Sequence, residues 1–227
     1  MQSIFEGRDS DSPYIHMIWR GYTPPNYAPT CPADPRWNML LIKQGSQVKV
    51  TVEGPLTKAL SKFRLEESEF LVIKFRLGTY FPHVPVTNLV NTDAALPEGT
   101  SKSFWLNGST WQFPDFENVE TFVERLVREG VLVLDPVVDG VLQNENPYLS
   151  NRTVRRRFIY STGLTPKALQ QIERAQQAAT LLEQGGSILD TVYAAGYSDQ
   201  PHLTRSLKRY YGQTPAQIVG ANQAVTG

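Results

Sequence analysis

The sequence predicts an α+β protein: a β-rich N-terminal domain, sandwich- or barrel-like, followed by an all-α C-terminal domain. Three observations carry this reading. The chain has 227 residues, long for one domain and comfortable for two. Its first hundred residues hold short β-branched and aromatic runs cut by proline and glycine. From Phe116 onward, apolar residues recur at spacings of three and four, the period of a helix face. The change of pattern divides the chain into 1–130 and 131–227.

In the first part, Tyr14–Trp19, Met39–Ile42, Val48–Val52 and Phe70–Leu77 read as strands. Val48, Val50 and Val52 alternate with Lys49 and Thr51, so one face is expected to be buried. Pro24-Pro25, Pro29, Pro32, Pro35, Gly54-Pro55, Pro82 and Pro85 mark turns and long loops, and Gly78 to Gly108 reads as irregular. Phe116, Val119, Phe122, Val123, Leu126 and Val127 then form one apolar stripe, with Gly130 as its stop. Asp135-Pro136 is an N-cap followed by proline at the first helical position, opening a short helix to about Leu142.

Composition excludes several functions. With 41% apolar and 19% charged residues the chain has the makings of an ordinary globular core. The single cysteine, Cys31, forbids an internal disulfide and any site needing two thiolates. Met1 to Ser12 carries Glu6, Asp9 and Asp11 and no apolar stretch, unlike a signal peptide. No run approaches the roughly 18 apolar residues of a membrane span, so no membrane partner is expected and the cytoplasm is the default address. The net charge of zero hides an asymmetry: from Ser150 onward there are nine Lys/Arg against four Asp/Glu, and before it thirteen against eighteen. Acidic and basic portions in one neutral chain are what a protein shows when one portion meets a polyanion, although a basic face can also simply face water.

Two segments share one local logic. In the first, the helix from Pro136 leads through a polar turn to Ser150, which can cap a helix Asn151–Thr162. In the second, Ser187 opens a helix through Ala195, Gly196 supplies a tight turn, and Ser198 or Asp199 caps a helix to Tyr211. Short helix, turn, second helix is the arrangement whose second helix enters the DNA major groove. On the first such helix Val154 and Phe158 face inward, leaving Arg152, Arg155 and Arg156 for guanine edges or phosphates and Arg157 for phosphates. On the second, Leu203 and Leu207 are buried. Gln200, Thr204 and Arg205 are then placed for base edges, and Lys208 and Arg209 for phosphates. His202 either reads a base or packs on the preceding turn. Pro201 is tolerable in a first turn, whose N–H groups lack intrahelical partners. Between the units Thr165-Pro166 starts a helix to Gln184, stopped by Gly185-Gly186 and buried along Leu169, Ile172, Ala175, Ala179 and Leu182. At roughly 27 Å long, it is a strut suited to recognition helices about one duplex turn apart, roughly 34 Å.

The runs Ser187-Ile188-Leu189-Asp190, Ala195-Gly196-Tyr197-Ser198-Asp199-Gln200 and Leu203-Thr204-Arg205-Ser206-Leu207-Lys208-Arg209, with Gly212-Gln213-Thr214-Pro215, resemble the C-terminal signature of the AraC/XylS family. Leu149-Ser150 to Phe158, with Thr162-Gly163-Leu164-Thr165-Pro166, is similar to that family's first recognition helix and following turn. The resemblance covers residues 135–218. It implies a transcription regulator that binds double-stranded DNA. Arg152, Arg155, Arg156, Gln200, His202 and Arg205 would occupy its base-facing positions. Three places depart from the family pattern: Asn146-Pro147-Tyr148 in the first turn, Thr191-Val192, and Pro201. The resemblance further implies a sensing or dimerising N-terminal domain, and hence a small-molecule effector, a homodimer and, in an activator, contact with RNA polymerase. Phe70-Leu71-Val72-Ile73-Lys74-Phe75-Arg76-Leu77-Gly78 resembles a cupin-like sensor domain found in part of that family.

The aromatics Trp19, Tyr22, Tyr27, Trp37, Phe75, Tyr80, Phe81, Trp105 and Trp111 are candidates to line a pocket, or ordinary core residues. Catalysis finds no support. His16 and His83 are far apart and form no HxH pair for a metal. GxSxG, phosphate-loop and HExxH patterns are missing as well. Hence no catalytic residue, metal or cofactor is expected. An RNA reader would need exposed aromatics beside its basic helices, and Tyr160 and Tyr210 are meagre provision.

Overall fold

The computed structural model describes residues 5–25, 28–61, 67–84, 86–143, 145 and 148–225. Its strands are β1 (Phe5–Arg8), β2 (Ile15–Thr23), β3 (Thr30–Cys31), β4 (Asn38–Gln44), β5 (Gln47–Glu53), β6 (Leu60–Ser61), β7 (Ser68–Phe75), β8 (Thr79–Tyr80), β9 (Asp93–Ala95), β10 (Ser103–Leu106), β11 (Ser109–Gln112) and β12 (Val133–Leu134). Its α-helices are α1 (Val119–Arg128), α2 (Pro136–Leu142), α3 (Asn151–Thr162), α4 (Pro166–Glu183), α5 (Ile188–Ala194), α6 (Gln200–Tyr210) and α7 (Pro215–Val225).

Packing sorts these elements into two compact units. One holds residues 1–28, 36–55 and 63–165; the other holds 29–35, 56–62 and 166–227. Neither coincides with the sequence division at 130/131. Residues 131–165, with α2 and α3, pack with the β-rich part, and two short N-terminal segments pack with the last four helices.

The first unit is built on a six-stranded antiparallel sheet in the order β1-β2-β7-β4-β5-β9. Register follows the side-chain alternation: Leu41 pairs with Val50 and Leu71, and Met39 with Val52 and Ile73, all six buried. The opposite wall of this core is the β10–β11 hairpin and α1, through Phe104, Leu106, Trp111, Phe122, Val123 and Leu126, rather than a second sheet of comparable size. The stripe expected from Phe116 to Val127 is therefore buried in α1 together with Phe116 just before it, except Val127, which is half-buried. Arg8 fastens β1 to α1, pairing with Glu120 at 2.5 and 2.8 Å and donating to the Phe116 carbonyl at 2.7 Å. This guanidinium is the leading cause that holds the Glu120 carboxyl down at about 2, from an ordinary 4.5. The stretch expected to be irregular carries β8, a 3-10 turn at Val86–Leu89, β9 and β10. These pieces are two to four residues long, too short to leave a period in the sequence.

The second unit is helical. On α4 the expected stripe of Leu169, Ile172, Ala175, Ala179 and Leu182 is buried, with Ala178 added to it. Ala178, Ala179 and Leu182 join Val192, Leu203, Leu207 and Ile218 in one core, so α5, α6 and α7 all lean on α4. The N-terminal segments reach the far end of α6. There Ala59 donates its N–H to the Arg209 carbonyl at 2.8 Å, and Ala33 to the Tyr210 carbonyl at 2.6 Å. Helix C-termini leave carbonyls without intrahelical partners, and here residues 29–35 and 56–62 satisfy two of them.

Candidate nucleic-acid interface

The first helix pair begins at Asp135, the N-cap of α2. Its carboxylate accepts from the Val137 and Val138 N–H groups at 3.0 and 3.3 Å, and its own N–H donates to the Gly78 carbonyl at 2.8 Å. The carboxylate is fully buried and pairs with Arg157 of α3, with Nε 2.8 Å from Oδ2 and Nη2 donating to Oδ1 at 3.0 Å. A buried carboxylate needs such a partner, so Arg157 is committed to holding α3 on α2. The phosphate contact expected of Arg157 is therefore withdrawn: its guanidinium is occupied by an internal charge.

Ser150 caps α3 as expected, accepting from the Thr153 N–H at 3.2 Å. The helix ends on Gly163 at φ +73°, where an added Cβ would lie 2.8 Å from Val90 Cγ2 and 3.3 Å from the Val86 carbonyl oxygen. Phe158 is buried and Val154 only half-buried. Tyr160 meets Tyr80 edge-on at 5.3 Å. Arg152, Arg155 and Arg156 are exposed and form no ion pair among the described residues. In the turn before α3, Asn146 and Pro147 lie outside the described residues, whereas Tyr148 is fully exposed.

The second pair is capped at both starts. Ser187 accepts from the Asp190 N–H at 3.1 Å, and Asp199, of the two residues considered, accepts from the His202 N–H at 2.6 Å. Gly196 takes φ +67° in the intervening turn. Pro201 falls in the first turn of α6, where its missing N–H costs nothing. Leu203 and Leu207 are completely buried, each worth about 1.5–3 kcal/mol of transfer free energy. Gln200, Arg205, Lys208 and Arg209 are exposed. Thr204 is half-buried and its hydroxyl donates back to the Gln200 carbonyl at 2.9 Å. His202 packs on the preceding turn, with Nδ1 3.1 Å from Ser198 Oγ and its ring edge-on to Tyr197 at 5.1 Å. Of its two readings, this is the one the geometry displays.

In the first unit a cavity of about 590 Å³ opens on the sheet, lined by Leu41, Leu71, Phe113 and Phe116 with Tyr22 and Arg20. Arg20 lies over the Phe116 ring at 4.3 Å and pairs with Glu6 at 2.7 Å. Of the nine nominated aromatics, only Tyr22 lines it. Trp37 stacks on Phe75 at 4.0 Å beside Phe81, and Trp111 is buried, donating to the Leu106 carbonyl. Tyr27 lies outside the described residues. No described helix is long and apolar enough to cross a membrane.

Residues 148–220 match the helix-turn-helix domain family, the stretch that contains α3, α4, α5 and α6 and the N-caps of α3, α5 and α6. Over 70 residues, 31% of its length, the chain is 37% identical to the HTH-type transcriptional regulator RipA of Corynebacterium diphtheriae. Over 102 residues, 44% of its length, the chain is 34% identical to the HTH-type transcriptional regulator VirS of Mycobacterium tuberculosis. The matches span only 21% and 28% of those relatives' own lengths. Among solved structures, ToxT from Vibrio cholerae aligns over 96% of this chain and 98% of its own, at 11% identity and a TM-score of 0.44.

Sequence reasoning missed two features of this domain. Arg174 of α4 stands beside α6, and no pattern marked it because one arginine on a helix flank is unremarkable. The capping of α6 by residues 29–35 and 56–62 joins Ala59 to Arg209 and Ala33 to Tyr210, separations that local sequence cannot report.

Proposed function

We propose that this protein is a sequence-specific DNA-binding transcription regulator that reads duplex DNA with α3 and α6. The observation that carries the proposal is α6. A capped, well-buried helix within a helix-turn-helix domain presents Gln200, Arg205, Lys208 and Arg209 to solvent, with no ion pair to any of them among the described residues. Guanidinium forks suit guanine edges and phosphates, so base reading is assigned to Arg152, Arg155, Arg156, Gln200, Thr204 and Arg205, and phosphate contact to Lys208 and Arg209. His202 supports the turn, and Arg157 supports α3. In this reading residues 131–227 are the DNA-binding part of the chain.

The cavity in the β-rich unit has a volume within the range of small-molecule sites, about 300–1,000 Å³. It supports a small-molecule effector acting through that unit. A homodimer, RNA polymerase contact in an activator and a cytoplasmic location complete the proposal. The test is titration of the full chain against a duplex of about 30 base pairs over a salt series. Affinity is expected to fall linearly in the log–log plot as counterions are released; a folded chain with no salt-dependent duplex binding contradicts the proposal. The full chain is required, because a fragment starting at residue 131 leaves α3 without β8 and the Val86–Leu89 turn.

A further inference from the structure

Beside α6, within the helical unit, lies a notch of about 200 Å³ lined by Gln171 and Arg174 of α4, Tyr197 of the turn, and His202, Arg205 and Arg209 of α6. Its neutral walls are largely satisfied internally. The Tyr197 hydroxyl and Ser206 Oγ are 2.8 Å apart, and the Tyr210 hydroxyl donates to Gln171 Oε1 at 3.1 Å. Three guanidiniums remain. Arg174 donates one N–H to the Gly196 carbonyl at 3.3 Å and lies 5.3 Å from the Tyr197 ring centroid, while Arg209 lies 5.2 Å from that of Tyr210. Among the described residues no carboxylate pairs with Arg174, Arg205 or Arg209. Three like charges converging on one small concavity repel one another unless an anion joins them, and aromatic faces hold two of the planar forks in place.

We propose that this notch is a phosphate-binding site for the DNA backbone, and that Arg174, on the strut rather than on a recognition helix, is one of its ligands. The inference rests on the DNA-binding reading and deepens it. A phosphodiester carries two non-bridging oxygens, and Arg174 from α4 faces them opposite Arg205 and Arg209 from α6. This fixes the depth of α6 against the backbone, because phosphate contacts set register without reading sequence. Arg205 then divides its fork between the notch and base edges.

The test uses the full chain and a random-sequence duplex of about 30 base pairs, which needs no knowledge of the operator. Arg174→Gln is expected to weaken binding about tenfold, the scale of one charge-assisted hydrogen bond, and to reduce the log–log salt slope by about 0.9. Arg174→Lys keeps the charge and should keep the slope. A residue that merely braced the Gly196 turn would lower thermal stability and affinity in Arg174→Gln without moving the slope; that result overturns the proposal. Should Arg174→Gln not fold, Arg209→Gln and the Arg174→Lys/Arg209→Gln double variant replace it. The two changes are expected to be non-additive if both arginines share one phosphate, and additivity overturns the site. Inorganic phosphate at constant ionic strength is expected to leave duplex binding unchanged; millimolar displacement of the duplex would instead make the notch a free-anion site. Wild-type protein that fails to bind duplex rejects the underlying reading as well. Normal wild-type binding with an unaltered Arg174→Gln slope rejects the notch alone.

Discussion

The two helix pairs share a sequence logic but are supported in different ways. The first is held by the β-rich unit: α3 sits against β8 and the Val86–Leu89 turn, its C-terminal glycine is close-fitted to Val90, and one of its four arginines is committed to Asp135. The second is held by helices: α6 packs on α4, α5 and α7, and its exposed side chains keep their charges unpaired. α3 thus packs within the unit that carries the cavity, whereas α6 has a helical core of its own.

Core truncation should separate the two supports most strongly. Phe158 and Leu207 are both buried, and Phe→Ala or Leu→Ala at such sites costs about 2–5 kcal/mol. All four tryptophans lie in the first unit. Phe158→Ala is therefore expected to lower the fluorescence-detected unfolding midpoint. Leu207→Ala should lower the helical signal in circular dichroism while moving the fluorescence midpoint much less. Equal shifts by both probes for both variants would erase the comparison.

Next in size is Arg157→Ala, which strands a buried carboxylate. Because the Arg157 side chain is 40% exposed, the expected cost is about 1–3 kcal/mol rather than that of a fully buried pair. Asp135→Asn in the same background should recover part of it. Because Arg157 is not a phosphate contact, the salt slope of DNA binding should be the same in the Arg157→Ala/Asp135→Asn double variant as in the wild type.

The two turn glycines sharpen the contrast. Both have positive φ, which costs an alanine about 1–2 kcal/mol. At Gly196 an added Cβ meets nothing within 4 Å, whereas at Gly163 it meets Val90 Cγ2 at 2.8 Å. Urea titration should find Gly163→Ala the more destabilising of the two.

The smallest effect is electrostatic and confined to the first unit. Glu120 titrates at about 2 when folded, below its ordinary 4.5. Its stabilisation is present above pH 4.5 and is lost as pH falls from there toward 2. Arg8→Ala should lower stability at neutral pH and flatten its dependence over that window, as read by tryptophan fluorescence; an unchanged acid profile would exclude the Arg8–Glu120 pair as its source.

Much of this was legible in the sequence because the signals are local. Asp135, Ser150, Ser187 and Asp199 are N-caps, and a cap announces itself by residue type and spacing. The bounds of α3 follow directly from Ser150 and Gly163, and the Val48–Val52 alternation gives the buried face of β5. What escaped is non-local. Arg157 has the same type and spacing as its neighbours, and only Asp135, 22 residues earlier, reveals that it is spoken for. His202 was ambiguous because Tyr197 and Ser198 had to be placed before its ring had a home. The grouping of α3 with the β-rich unit rests on Val86, Val90 and Tyr80, whose segment carries no periodicity at all.

The most direct test of the central claim, that two separate helices read sequence, is selection of bound duplexes from a random pool, followed by sequencing. The account predicts two distinct enriched elements in the wild-type selection. Arg156→Ala should erase the preference in one element and Arg205→Ala in the other, while each variant keeps its binding to unselected duplex within a fewfold. A single enriched element, or loss of the same element in both variants, would contradict it.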